Sequence, residues 1–144
     1  MKKIVCIIQA RTGSTRLPNK VLRPLSGKPM LLRVIDRVLE SKHINEIVVA
    51  TTTNPGDARI IELVQSYNSK VRVTRGSEED VLDRYYHAAK ESDADVVVRV
   101  ASDNPLIDPD IIDRVIEEFL ADSSLDFASN NIGKHTYPRG LDVE

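Results

Sequence analysis

The chain has 144 residues, with 20 Lys and Arg against 22 Asp and Glu, one cysteine, no tryptophan and a formal net charge of -2. That length suits a single domain, which can bury about two-thirds of its unfolded surface without disulfides or a structural metal. The lone Cys6 excludes a disulfide framework and any multi-cysteine zinc site. The apolar run Ile4–Ile8 is too short for a secretory h-region or a membrane span, so a cytoplasmic protein without membrane contact is expected.

Charge is unevenly spread. Residues 1–40 carry nine Lys and Arg and two acids, a local +7, which leaves -9 on the remainder. A basic N-terminal third points to an anionic partner. Aromatic stacking platforms are too few (4% aromatic) to favour nucleic acid, and a small phosphorylated ligand fits better.

In chain order, Ile4–Ile8 is a β-branched apolar run that reads as a strand buried on both faces. Similar runs at Ile47–Ala50, Val71–Thr74 and Val96–Val100 predict three more strands. Between them, Met30–Lys42 places Leu31, Leu32, Val34, Ile35, Val38 and Leu39 on one helical face. Ala58–Tyr67 repeats the pattern with Ile60, Ile61 and Val64. Ser77–Glu91 opens on a capping box, Ser77-x-x-Asp80, and directs Val81, Leu82, Tyr85 and Ala89 to one side. Pro109–Ala121 starts with proline in its first turn and buries Ile112, Val115, Ile116 and Phe119. Leu125–Asn130 predicts a fifth strand, and Leu141–Glu144 begins another element. Alternating strands and helices predict an α/β layer fold with a mostly parallel sheet, cut short at the C-terminus.

Ligands of open parallel sheets bind beyond the carboxyl ends of the strands. The first such loop, Gln9–Lys20, holds Gly13, where backbone amides can approach phosphate oxygens, together with Arg11, Arg16 and Lys20. The same residues also suit a solvated basic loop. It is neither a P-loop, since Gly27-Lys28 is followed by Pro29, nor a dinucleotide fingerprint, since no Gly-x-Gly-x-x-Gly occurs. After the fourth strand, Asp103 can serve as a Mg²⁺ ligand facing bound phosphates, or as an Asx-turn acid before the Pro109 helix. Ser129, Asn130, Asn131, Tyr137 and Arg139 are polar enough to line a sugar pocket. Cys6 is expected to be buried and inert, and His43, His87 and His135 lack metal-site spacing. Arg99, inside an apolar strand, either pairs with a carboxylate or points into the site mouth.

The stretch Ile7-Ile8-Gln9-Ala10-Arg11-Thr12-Gly13-Ser14-Thr15-Arg16-Leu17-Pro18-Asn19-Lys20, followed by Leu25-Ser26-Gly27-Lys28-Pro29-Met30, resembles the opening of the sugar-acid cytidylyltransferases. These enzymes make CMP-activated 3-deoxy-manno-octulosonate and CMP-sialic acids. Three further segments, Arg75–Tyr85, Ser102–Pro109 and Pro138–Glu144, look like the spore coat polysaccharide biosynthesis protein F branch. The resemblance covers essentially the whole chain. It implies a Rossmann-like three-layer nucleotidyltransferase fold, with residues 1–144 forming one domain that is the N-terminal, nucleotide-binding portion of a longer enzyme.

The implied reaction transfers CMP from CTP to a sugar or sugar acid, with Mg²⁺ as cofactor and release of pyrophosphate, in polysaccharide or surface-glycan biosynthesis. Arg11, Ser14 and Lys20 match phosphate-binding positions, with Gly13 and Arg16 in the same loop. Ala10, through its backbone, and Arg75 match positions near the cytosine. Arg11, Lys20 and Asp103 are the expected catalytic residues, Asp103 is the expected metal ligand, and Asp142 is a candidate second carboxylate. Asn130 and Arg139 are the expected substrate-binding residues. Ala101 stands where relatives often carry a polar residue near the base, which loosens the preference for cytosine. A homodimer, a sugar phosphate or polyol phosphate acceptor, and a nucleotide-binding module or half of a split enzyme without turnover remain open.

Overall fold

The structure, a computed structural model, describes residues 1–144. The chain begins with β1 (Ile4–Gln9), then a long loop closed by a 3₁₀ turn at Lys20–Leu22. A short antiparallel hairpin follows, β2 (Pro24–Leu25) and β3 (Lys28–Pro29). Its turn residues Ser26 and Gly27 both have positive φ, the conformation of a two-residue hairpin turn. Next come α1 (Met30–Leu39), β4 (Glu46–Thr52), α2 (Ala58–Tyr67), β5 (Arg72–Gly76), α3 (Val81–Glu91), β6 (Val96–Ala101) and α4 (Pro109–Ala121).

The central sheet has the order β5-β4-β1-β6, and every pairing in it is parallel. The chain winds outward from β1 to β5, then crosses back to place β6 on the other side of β1. Right-handed crossovers therefore put α3 on the opposite face from the other helices. The core shows this division. Ile4, Cys6 and Ile8 of β1 pack with α1, α2 and α4, whereas Val5 and Ile7 pack with Val48, Ala50 and Ala88. Leu31, Val34, Ile35 and Val38 of α1 are fully buried, each stabilising by roughly 1.5–3 kcal/mol relative to exposure.

Three expectations need correction. Leu125–Asn130 forms no strand, because it pairs with no sheet neighbour; Leu125 and Phe127 are exposed and residues 122–125 close a turn. The buried face of α3 is rotated from the predicted one. Arg84 and Ala88 are buried, while Val81 and Leu82 face solvent. The helix also starts later than predicted: Ser77 caps a preceding turn by accepting from Asp80 N, and Asp80 is the N-cap, accepting from Asp83 N. Finally, β6 is buried on one face only, since Val97 and Arg99 are exposed.

The C-terminal residues return to the sheet. Arg99 and Glu144 exchange both backbone hydrogen bonds, the pattern of an antiparallel pair, and their side chains form an ion pair. Arg99 thus pairs with a carboxylate. Val143 is fully buried in the main core beside this contact.

Candidate active site

The strand order reverses between β1 and β6, so the loops after these strands diverge and leave a crevice at their carboxyl ends. A cavity of about 270 Å³ occupies this place. Its walls bring together Gln9, Ala10, Arg11, Ser14, Thr15, Arg16 and Lys20 from the first loop with Ser102 and Asp103 from the fourth. Residues more than 80 positions apart in sequence meet directly: Lys20 Nζ donates to Asp103 Oδ2 at 2.7 Å. Both side chains remain partly exposed, at 36% and 46%, so ligands can reach them.

The Asx-turn alternative for Asp103 is not what the structure contains. The cap of α4 is Asp108, whose carboxylate accepts from Asp110 N, and Asp103 faces Lys20. A partly exposed carboxylate among three cations fits a Mg²⁺ held mainly by nucleotide phosphates, an ion that needs only one or two protein carboxylates. No cluster of three or more His, Cys, Asp or Glu side chains offers an all-protein cage. His43 and His87 instead face Glu117 and Asp83.

The remaining predicted residues lie outside this cavity's lining. Gly13 is adjacent, and a Cβ added there would lie 3.5 Å from Glu78 Oε1, an ordinary contact. Arg75 sits at the end of β5, where Nε and Nη2 donate to the carbonyls of Thr52 and Asn54 and fix the loop after β4. Asn130 holds the C-terminal backbone, donating to Leu141 O and accepting from Val143 N. It also lines a separate cavity of about 190 Å³ with Arg114 and Tyr137. Arg139 is exposed. Continuing the antiparallel register of the Arg99–Glu144 pair sets Asp142 opposite Ala101, the last residue of β6, two positions before Asp103.

Two residues not anticipated from the sequence shape the first loop and the strand end before it. Asp57 is 1% exposed, and its Oδ1 accepts from Thr12 N at 2.7 Å and Thr12 Oγ1 at 2.6 Å. Its Oδ2 accepts from Thr52 Oγ1 at 2.5 Å. Burial alone would raise the Asp57 pKa, yet the bonds from Thr12 and Thr52 outweigh it and hold the carboxyl below its ordinary range. Thr12 O then accepts from Ser14 N and Asn19 N, so the clamp reaches the middle of the loop. The second residue is Arg84, buried at 3% exposure, with Nη2 donating to Gln9 Oε1 at 3.0 Å. Gly76 makes its room: a Cβ there would meet Arg84 Cγ at 2.8 Å. A glycine at a strand end, facing an arginine on an otherwise apolar stripe, was the available signal.

Known proteins share this sequence pattern and fold. A family model described as Cytidylyltransferase matches residues 5–138. The 3-deoxy-manno-octulosonate cytidylyltransferase of Geobacter metallireducens is 39% identical over 123 residues, covering 85% of this chain and 47% of that protein. The spore coat polysaccharide biosynthesis protein SpsF of Bacillus subtilis is 40% identical, covering 81% and 50%. Among solved structures, a cytidylyltransferase from Leptospira borgpetersenii superposes with a TM-score of 0.92 at 36% identity, over 99% of this chain and 59% of that one. A CMP:2-keto-3-deoxy-manno-octonic acid synthetase complexed with CTP gives 0.76 at 32% identity, over 85% and 49%. The chain spans about half the length of the curated relatives it matches.

Proposed function

The chain belongs to the cytidylyltransferase family, and we propose on that footing that its β1–β6 crevice binds CTP and directs transfer of CMP to a sugar or sugar acid. The observation that carries this reading is the meeting of Arg11, Ser14, Arg16, Lys20 and Asp103 around one cavity. Three cations suit a triphosphate, and the solved synthetase most relevant to the ligand is complexed with CTP.

In the reaction, an acceptor oxygen attacks the α-phosphorus. A new P–O bond forms as the bond to the bridging oxygen breaks, and pyrophosphate departs with the electron pair. Positioning and charge stabilisation supply most of the catalysis in such transfers. Arg11 can hold phosphate oxygens with two parallel hydrogen bonds, and Lys20 serves as a compact charge. The amides and hydroxyl around Ser14 orient the chain of phosphates. Asp103 would hold Mg²⁺, which when bound would offset phosphate charge. Lys20 and Asp103 neutralise each other in the ligand-free chain. With Lys20 holding phosphate and Asp103 holding the cation, phosphate and metal binding would reinforce one another. Arg75 and the carbonyls it holds lie at the carboxyl ends of β4 and β5, outside the cavity lining, on the side proposed for the base.

The test is pyrophosphate release from CTP and Mg²⁺ in the presence of a sugar acid, a sugar phosphate or a polyol phosphate. Release dependent on the sugar acid supports the reading. Release with a phosphorylated acceptor alone moves the acceptor class. CTP binding by the folded chain with no release for any acceptor makes it a binding module or half of a split enzyme.

A further inference from the structure

Arg84 is a buried guanidinium without a counter-ion. Of its nitrogens only Nη2 has a hydrogen-bond partner, Gln9 Oε1, while Nε and Nη1 are buried and unpartnered. The carboxylates whose charge acts on it are otherwise engaged, Asp57 by Thr12 and Thr52, and Glu78 by Asn54. Burial, and then the positive charge of Arg11, press its pKa downward, with Tyr85, Asp57 and Glu78 acting in the opposite sense. An arginine in this state is costly, because buried cations are normally paired and their donors satisfied. Departures of this kind persist at functional sites, where the missing partner arrives with the ligand.

Its position says which ligand. Gln9 lines the cavity of the phosphate loop, so Arg84 stands one side chain behind the cavity wall, on the side of Arg11. With Oε1 taken by Arg84, the Gln9 amide keeps its N–H donors for the cavity. A charge held away from water is less screened than an exposed one, so its field acts on an anion in that cavity. We propose that Arg84 is a positioning residue for a bound polyphosphate, supplying the charge behind the loop and fixing Gln9 as a donor, while the ligand supplies Arg84 with the counter-charge it lacks. This rests on the nucleotide reading above and extends it to a residue that does not touch the ligand.

Binding by Arg84→Met and Arg84→Lys is measured by calorimetry against a series of decreasing charge: CTP, inorganic tripolyphosphate, CMP and cytidine. The expected result for Arg84→Met is about a tenfold loss for CTP and tripolyphosphate, a smaller loss for CMP and none for cytidine. Arg84→Lys, which keeps the charge, should recover most of the loss. Thermal unfolding without ligand should be no lower for Arg84→Met than for wild type, since an unpaired buried charge has gone. A loss equal across the series, or none, overturns the proposal, and so does failure of Arg84→Lys to recover binding. Should Arg84→Met not fold, the charge dependence in Arg84→Lys against wild type decides the matter: affinities parallel across the series support it, and losses unrelated to ligand charge overturn it. Tripolyphosphate binding by wild type with no preference for CTP over UTP, ATP or GTP would remove the cytidylyl reading and leave this inference standing. Selective CTP binding unchanged in Arg84→Met would do the reverse.

Discussion

Replacing Asp57 by Asn keeps the shape of the side chain and removes its charge. Three donors converge on the native carboxylate, two from Thr12 and one from Thr52. A hydrogen bond to a charged group contributes about 1 kcal/mol more than a neutral one, so Asp57→Asn should cost on the order of 3 kcal/mol. For a domain of this size that corresponds to roughly 6–12 °C in melting temperature. The folded pKa of Asp57 lies below its ordinary value of 3.8. The stabilisation is therefore complete above about that pH and is lost as pH falls through the lowered folded value. Urea unfolding of wild type and Asp57→Asn should show the full gap at pH 7 and a shrinking gap below pH ~4. Nucleotide binding should weaken as well, because Thr12 anchors the loop that carries Arg11 and Ser14. A gap below about 0.5 kcal/mol at pH 7, or one that persists undiminished in acid, would refute the reasoning.

Because the Lys20–Asp103 pair is partly exposed, Lys20→Ala should change stability by no more than about 1 kcal/mol, read by calorimetric melting, while lowering CTP affinity. Gly76→Ala forces a methyl group to 2.8 Å from Arg84 Cγ and should destabilise by about 1–3 kcal/mol in urea, with Arg84 displaced from Gln9. Cys6 is fully buried, and burial pushes its thiol pKa up. Ellman's reagent should therefore leave the native chain unmodified at pH 8 and titrate one thiol in denaturant.

Local patterns made much of the fold legible. The apolar runs at β1 and β4 and the periodicity of α2 and α4 placed those elements within a residue or two of their observed bounds. Strand-end loops then pointed to the crevice, since Arg11, Lys20 and Asp103 are recognisable by charge and by what precedes them. What escaped depends on three-dimensional partners. Leu125–Asn130 has strand-like composition, yet Glu144 is what pairs with the edge strand β6, and Asn130 is drawn into holding residues 141–143. Arg84 was hidden because helical periodicity assigns an arginine to the wet face, whereas Gly76 and Gln9 create a buried berth for it. Asp57 has no local pattern that singles it out among the acids. Its role emerges only when Thr12 is brought alongside from 45 residues away.

The most direct test of the account is calorimetric titration of the folded 144-residue chain with CTP, UTP, ATP and GTP, with and without Mg²⁺. The account predicts selective binding of CTP, strengthened by Mg²⁺ and weakened by both Lys20→Ala and Asp103→Ala. Absence of nucleotide binding, or CTP binding that neither substitution alters, would contradict it.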